Sequence, residues 1–235
     1  MALERVRTYI KGFDERMEGG IPKKFIVLVS GHAGTMKSSL AYNILYNGAR
    51  IDHLKGMYIT LEQSRQSLIE HMKKLGMSDD VSEDLVVIDL ARVRKDTNID
   101  KGKIKDIDWI ASILNAMRNY KNMFGCEVLV LDSLAALYSL TDFKNPRGDL
   151  FYFFEQLRDL DITTLLISEM PTDRMVYGIY GVEDFLADGI IHLQTERSGN
   201  TVNLFLGCVK MRKTGHDRSY FPLIFSDGSF EIVTD

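Results

Sequence analysis

Apolar runs alternate along the chain with helical patterns, and this alternation is the first indication of the fold. Several of the runs are continuous, as in strands that are buried on both faces of a sheet. Helical segments between them are typical of the connections that join parallel strands. The predicted strands are 25–30, 57–61, 85–90, 127–132 and 163–168, and the predicted helices are 37–50, 64–75, 106–123 and 147–160.

The pattern changes after residue 188. Short polar turns now separate the strand-like segments, which are 189–194, 201–210, 220–225 and 229–233. Asp227-Gly228 is typical of a turn between paired strands. We therefore expect an α/β fold with a mostly parallel central sheet flanked by helices and a C-terminal antiparallel extension. Because no linker rich in proline, glycine or serine divides the chain, we expect a single domain over residues 1–235.

Composition narrows the class of protein. The chain of 235 residues is 45% hydrophobic and 26% charged, which is ordinary for a globular domain, and its net charge of −4 argues against a broad surface for nucleic acid or membrane. Cys126 and Cys208 lie beside apolar residues without metal-ligand spacing, which indicates buried, reduced thiols. No apolar run approaches membrane-spanning length and the amino terminus lacks a signal sequence, so we expect a soluble, cytoplasmic protein.

A phosphate-binding loop is predicted between the first strand and the first helix. Residues 31–38 match G-x-x-x-x-G-K-[ST], except that Met36 replaces the glycine before the lysine. Backbone N–H groups at the helix start bind phosphate, Lys37 is expected to contact the β- and γ-phosphates, and the Ser38 hydroxyl is expected to ligate Mg²⁺. Since the replaced position often requires a positive φ, Met36 costs about 1 kcal/mol. We predict that ATP and Mg²⁺ bind here, at Gly31, His32, Ala33, Gly34, Thr35, Met36, Lys37, Ser38 and Ser39.

Two carboxylates at the ends of predicted strands are candidates for chemistry. Asp132 ends the run VLVLD, where it can hold Mg²⁺ directly or through water. Glu62 ends the run MYITL and is a candidate base that aligns water on the γ-phosphate. The alternative for Glu62 is a carboxylate that stabilises the start of the following helix. We expect this strand end to lie next to the phosphate loop.

Lys210 and Arg212 form a pair of cations late in the chain. Because they are two residues apart, both side chains leave the same face of a strand. They are a candidate phosphate clamp or intersubunit finger, and a solvated basic face is an equally good interpretation.

Several other residues have structural interpretations and no predicted role in catalysis or metal binding. The charged stretch 92–108 is expected to be a surface connection, and His71 a helix surface residue. The five histidines are scattered without metal-ligand spacing. Phe151 and Tyr152 fall partly off the apolar stripe of their helix; core packing is the expectation for both, and exposure or a subunit contact is the alternative.

Ordered short motifs connect these candidates into one pattern. They are Arg5-Val6-Arg7-Thr8, Gly12-Phe13-Asp14, Gly19-Gly20-Ile21-Pro22, the loop 31–38, Glu62-Gln63, Leu131-Asp132-Ser133, the run from Tyr180 to Phe185, and Lys210-Met211-Arg212. In residues and order they resemble the KaiC-like ATPases of the RecA/RadA superfamily, in the single-domain, archaeal form. The resemblance covers nearly the whole chain.

The resemblance implies a RecA-like P-loop core that binds ATP and Mg²⁺ and commonly assembles into a hexameric ring. In that family the strand-end glutamate activates water, a role that would fall on Glu62. The lysine and arginine of the K-x-R element reach the γ-phosphate of the neighbouring subunit, and they correspond to Lys210 and Arg212. Ser168, at the end of another strand, could sense the γ-phosphate.

This sequence departs from the family pattern at positions that affect the expected ATPase and autokinase activities. Met36 disturbs the loop, and Gln63 replaces the second acid of a frequent Glu-Glu pair, which leaves one candidate base. Asp184-Phe185 stands where the phosphorylating half of the clock protein has Ser-Thr acceptors, so autokinase activity is disfavoured. We expect slow ATP hydrolysis in a homo-oligomeric ring with an unknown protein partner. The alternatives are a nucleotide-binding structural or regulatory module, and a recombinase-like ATPase on DNA, against which the acidic net charge weighs.

Overall fold

The computed structural model describes residues 3–78, 81, 83–90, 108–141, 143–172 and 175–234. The predicted surface connection 92–108 lies outside these ranges except for Asp108, whose carboxylate accepts a hydrogen bond from the Ala111 N–H at 2.9 Å and caps a helix. Within the described ranges, no helix combines the length and the apolar character needed to cross a membrane.

The strands and helices follow the predicted alternation closely. The strands are β1 (Arg5–Val6), β2 (Ile10–Lys11), β3 (Ile21–Pro22), β4 (Ile26–Gly31), β5 (Gly56–Thr60), β6 (Leu85–Asp89), β7 (Val128–Asp132), β8 (Thr163–Glu169), β9 (Gly189–Ser198), β10 (Thr201–Met211), β11 (Tyr220–Ser226) and β12 (Ser229–Ile232). The helices are α1 (Lys37–Asp52), α2 (Arg65–Lys74), α3 (Trp109–Phe124), α4 (Leu134–Leu140), α5 (Pro146–Asp159) and α6 (Glu183–Leu186), with a 3₁₀ turn at Asp14–Met17.

One ten-stranded sheet has the order β2-β12-β11-β10-β9-β4-β8-β7-β5-β6. The strands from β9 to β6 are parallel, and β10, β11 and β12 continue the sheet in antiparallel steps. The predicted fold class is therefore confirmed. One detail differs: β9 pairs in parallel with β4, so the antiparallel extension begins one strand later than expected. The physical reason is that the connection from β8 returns the chain to the amino edge of the sheet before β9 starts.

Burial on both faces explains why the central strands are continuous apolar runs. On β4, Val27 and Val29 pack into an apolar cluster with Leu40 of α1. Ile26 and Leu28 point to the other face, into a cluster that contains residues of α3 and α5. The alternation of side chains along a strand thus places one helical layer on each side of the sheet. Cys126 and Cys208 are buried and unpaired, as predicted.

The parallel register brings the carboxyl ends of the central strands to one edge. Gly31 at the end of β4 is opposite Glu169 of β8, and Thr60 of β5 is opposite Asp132 of β7. The loops that follow these strands therefore meet at the same edge, which is where ligands bind in open α/β sheets.

A glycine directly before β3, next to the strand pair β1–β3, gives a test of this packing. Gly20 has a φ of +120°, and an added Cβ would lie 2.4 Å from the carbonyl oxygen of Val6. Gly199 also has a positive φ, of +59°, but nothing lies within 4 Å of an added Cβ. We expect Gly199→Ala to lower the free energy of unfolding by about 1 kcal/mol from backbone strain alone, and Gly20→Ala to lower it further. Urea denaturation of both variants measures the difference, and equal losses would contradict the close approach at Gly20.

Candidate nucleotide-binding site

A cavity of about 470 Å³ opens at the carboxyl edge of the parallel strands. Residues 33–39, which span the phosphate loop and the first turn of α1, form one wall. The ends of β5, β7 and β8 supply the opposite side, with Glu62, Asp132 and Glu169 among its residues. The structure therefore brings most of the residues predicted from separate motifs into one place.

The phosphate loop has the conformation that its motif requires, in spite of Met36. Met36 precedes α1 with φ 62° and ψ 23°, so it occupies the left-handed region in which glycine is favoured. Its side chain is half-buried and packs against the apolar cluster that includes Val29 and Leu40. Burial of the Met36 side chain offsets the strain of its backbone, and this explains how a methionine is accommodated here.

Lys37 is held inside the loop by its own backbone. Its ammonium is buried and donates to the carbonyl oxygens of Gly31 at 2.9 Å and His32 at 2.8 Å. Burial lowers the pKa of Lys37, and the charges of Glu169 and Asp132 act in the opposite direction. A phosphate entering the cavity finds a cation that is already desolvated and can exchange carbonyl oxygens for phosphate oxygens.

Asp132 and Ser38 offer the oxygen ligands that suit Mg²⁺. Asp132 is buried at the end of β7, and burial raises the pKa of its carboxyl group, whereas hydrogen bonds from Tyr58 and Ser38 lower it. A carboxylate and a hydroxyl beside a phosphate site fit Mg²⁺, which takes few protein ligands and completes its shell with water and phosphate. These two residues would hold the ion.

Glu62 reaches the cavity from a strand that is not adjacent to the phosphate loop. The expected position of this strand end next to the phosphate loop is confirmed, since Glu62 lines the same cavity as the loop, although β8 and β7 lie between β4 and β5. The turn after β5 nevertheless directs Glu62 into the same cavity, where Ser133 Oγ donates to Glu62 Oε1 at 2.5 Å. Thr60 Oγ1 donates to the carbonyl oxygen of Gln63 at 2.8 Å and fixes this turn. Glu62 is therefore held at the cavity by a side chain of the neighbouring strand end.

Four residues are placed differently from the sequence expectation. Gly31 and His32 do not line the cavity, and their carbonyl oxygens instead accept hydrogen bonds from Lys37. Ser168 does not line the cavity, because side chains alternate along β8 and its neighbours Ile167 and Glu169 take the cavity-facing positions. His71 is exposed, as predicted for a helix surface, but it also lines the cavity, with Nε2 3.3 Å from Ser39 Oγ. No sequence signal indicates this contact, which depends on how α2 packs beside α1.

Lys210 and Arg212 lie away from the cavity of their own chain. Lys210 Nζ donates to the carbonyl oxygens of Asp184 and Ala187, each at 2.7 Å. Arg212 pairs with the Asp188 carboxylate at 2.9 Å and donates to the carbonyl oxygen of Phe185 at 3.1 Å. Both side chains thus project onto one segment, although β10 ends at Met211, so Arg212 lies outside the strand on which the two-residue spacing was argued.

Strand register gives the separation between these cations and the phosphate loop. Met211 of β10 pairs with Gly189 of β9, which pairs with Val27 at the amino end of β4. Gly31, where the phosphate loop begins, lies about 13 Å further along β4 at the usual rise per residue. The two cations therefore lie near the amino ends of the parallel strands, whereas the phosphate loop lies at the carboxyl ends. The strand of Lys210, β10, is also two strands away from β4 in the sheet.

Comparison with known proteins agrees with this architecture. A family model described as "ATPase: KaiC" matches residues 6–235. A circadian clock protein KaiC3 of Synechocystis sp. is 30% identical over 94% of this chain and 43% of its own length. A UPF0273 protein of Pyrobaculum aerophilum is 28% identical over 100% of this chain and 84% of its own length.

The clock-protein relatives are much longer than this chain. The match spans 43–44% of their length. A crystal structure of a KaiC-like protein from Pyrococcus horikoshii superimposes with a TM-score of 0.84, covering 99% of this chain and 100% of that chain, at 24% identity. At this identity the comparison shows that the fold is shared.

The geometry of Met36 generates a test of the loop. Met36→Gly removes the left-handed strain and the side chain together, and we expect nucleotide affinity to stay equal or to rise. Met36→Ala keeps the strained backbone and removes only the packing, so it serves as the matched control. Isothermal titration with an ATP analogue measures both variants. A large loss of affinity in both would mean that the methionine side chain itself contributes to the site.

Proposed function

The chain belongs to the KaiC family of ATPases, with a nucleotide-binding RecA-like fold, and we propose that it hydrolyses ATP slowly with Mg²⁺ at the interfaces of a homo-oligomeric ring. One observation supports the proposal above others. The cavity combines a buried lysine, an oxygen pair for Mg²⁺ and a positioned glutamate, while the remaining candidate cations of the motif face away from it.

In this proposal each residue around the cavity has a distinct task. The N–H groups of the phosphate loop and Lys37 bind the phosphates, and Ser38 with Asp132 holds Mg²⁺. The ion, when bound, neutralises charge that develops on the phosphoryl oxygens. Glu62, oriented by Ser133, accepts a proton from the attacking water. The chain supplies no second cation to the γ-phosphate from its own β10.

A neighbouring copy is the proposed source of that cation. Lys210 and Arg212 bind the segment 184–188 beside an apolar surface on which Phe185 is 76% and Phe151 is 55% exposed. Large exposed aromatic side chains next to charged ones are typical of protein interfaces. In the proposed ring, this surface meets the phosphate cavity of the next copy, and the hexamer is the ring size that the family resemblance implies. Tyr152 is also exposed but lines a different cavity, so the expectation that Phe151 and Tyr152 pack in the core is wrong.

The site supports slow hydrolysis better than rapid hydrolysis. Glu62 is the single acidic residue in its motif, because the next position is Gln63. The non-glycine residue at position 36 adds strain to the loop. The same features favour the second candidate function, a nucleotide-binding regulatory module in which ATP controls assembly alone. The rate of phosphate release from ATP, measured for the wild type and for Glu62→Gln, separates the two functions. An ATPase has a measurable rate that the substitution lowers, whereas a regulatory module has no measurable rate in either protein.

Two further expectations belong to the proposal. Asp184 accepts hydrogen bonds from the Tyr177 N–H at 3.2 Å and is followed by Phe185, so neither position offers a hydroxyl for autophosphorylation. The net charge of −4 weighs against DNA as a partner. A cytoplasmic location and an unidentified protein partner stay predictions.

Removal of the buried ammonium tests the binding site. We expect Lys37→Ala to weaken ATP affinity by at least tenfold, since a charge-assisted hydrogen bond contributes about 1.5–3 kcal/mol. Lys24→Ala removes an exposed lysine that pairs with Asp161, and it is the control for a change in net charge. Isothermal titration measures both variants. Unchanged affinity in a folded Lys37→Ala protein would show that the phosphates bind elsewhere.

Mixing two inactive variants tests whether the site is shared. Arg212→Ala leaves Glu62 intact, and Glu62→Gln leaves Arg212 intact, so a mixed ring contains some interfaces with both residues. We expect phosphate release to recover partially on mixing. A chain that carries both substitutions, mixed with Arg212→Ala, is the control, because it contributes no intact arginine. If mixed oligomers form by native mass spectrometry but activity does not recover, Arg212 does not act across an interface.

A further inference from the structure

A tyrosine buried under the phosphate cavity contacts the proposed metal ligand. Tyr58 lies in the middle of β5, is fully buried, and donates its hydroxyl hydrogen bond to Asp132 Oδ2. Tyr58 also interacts with the hydroxyl of Ser38. Tyr58 and Asp132 are buried and Ser38 is half-buried, and the three side chains form one polar cluster that contains both proposed ligands of Mg²⁺. Sequence reasoning gave Tyr58 no role, because it reads as one more apolar residue of a strand.

Packing alone does not explain the hydroxyl group. The neighbours of Tyr58 along the strand, Met57 and Ile59, are apolar and fully buried, and its ring packs on Tyr42 with centroids 5.7 Å apart. A phenylalanine ring would fill the same space. A buried hydroxyl costs free energy unless it is hydrogen-bonded, and its partner here is the carboxylate of Asp132.

Two side chains on the same face of β5 contact two different parts of the site. Side chains two residues apart share a face, so Tyr58 and Thr60 point the same way. Tyr58 binds Asp132, and Thr60 binds the backbone of the turn that carries Glu62. The distance between the metal-binding carboxylate and the proposed base is therefore fixed by a single strand.

We propose that Tyr58 is a positioning residue for the metal site: its hydroxyl fixes the rotamer of Asp132 so that the carboxylate faces the ion held by Ser38. This inference rests on the proposed function. When Ser38 Oγ gives a lone pair to the ion, Tyr58 keeps a hydrogen bond on the carboxylate and prevents it from turning away. Partners of metal ligands at this position commonly change metal affinity by roughly 10–100-fold.

Removal of one oxygen atom tests the inference. The probe is Mn²⁺, whose binding is followed by electron paramagnetic resonance in the presence of a non-hydrolysable ATP analogue. We expect Tyr58→Phe to weaken Mn²⁺ binding roughly tenfold and to leave affinity for the analogue in EDTA unchanged. Tyr46→Phe is the matched control, because Tyr46 is also a buried tyrosine, but its hydroxyl lies 3.3 Å from Ser78 Oγ and not beside Asp132. Thermal melting without metal shows that both variants are folded.

The outcomes separate this inference from the proposed function. If Asp132→Asn weakens Mn²⁺ binding but Tyr58→Phe leaves it equal to the Tyr46→Phe control, or makes it tighter, Tyr58 has no positioning role and the metal site stands. If the wild type binds no Mn²⁺ with the analogue, or Asp132→Asn changes nothing, the metal site itself is wrong and the inference is overturned with it. An equal loss of Mn²⁺ affinity in Tyr58→Phe and Tyr46→Phe would indicate a general loosening of the core, which also contradicts the inference.

Discussion

The burial of the Lys37 ammonium is the constraint on which the rest of the site depends. An isolated charge is costly to remove from water, and here two carbonyl oxygens of the phosphate loop and the nearby carboxylates offset the cost. The loop that supplies those carbonyls also holds Met36 in the left-handed region, directly before α1. The buried ammonium and the strained residue are thus neighbours in one short loop.

The sequence predicted the sheet well because strands that are buried on both faces have to be apolar throughout. It did not predict elements that are too short to show a periodic pattern of apolar and polar residues. These are the strands β1, β2 and β3 and the helices α4 and α6. It also missed that β9 joins β4 in parallel, since pairing depends on where the chain re-enters the sheet and not on local pattern.

Motifs predicted which residues of the site share a cavity, but they did not predict contacts that depend on packing between elements. Residues 33–38 of the loop line the cavity together with Asp132 and Glu62, whereas Gly31 and His32 do not. Glu169 lines the cavity instead of the predicted Ser168, because side chains alternate between the two faces of β8. A sequence motif gives the position of a residue but not the face to which its side chain points. The contacts of His71 and Tyr58 depend on helix packing and on register between β5 and β7, neither of which is local in sequence.

The central claim is that one chain builds an incomplete site and that a second copy completes it. The most direct measurement is a structure of the protein with Mg²⁺ and a non-hydrolysable ATP analogue at a concentration at which it assembles. The account predicts that Lys210 and Arg212 of one copy lie within hydrogen-bond distance of the γ-phosphate bound by the next copy, near Glu62 of that copy. A structure in which the nucleotide is fully enclosed by one chain, with Arg212 still on Asp188 of its own chain, would contradict it.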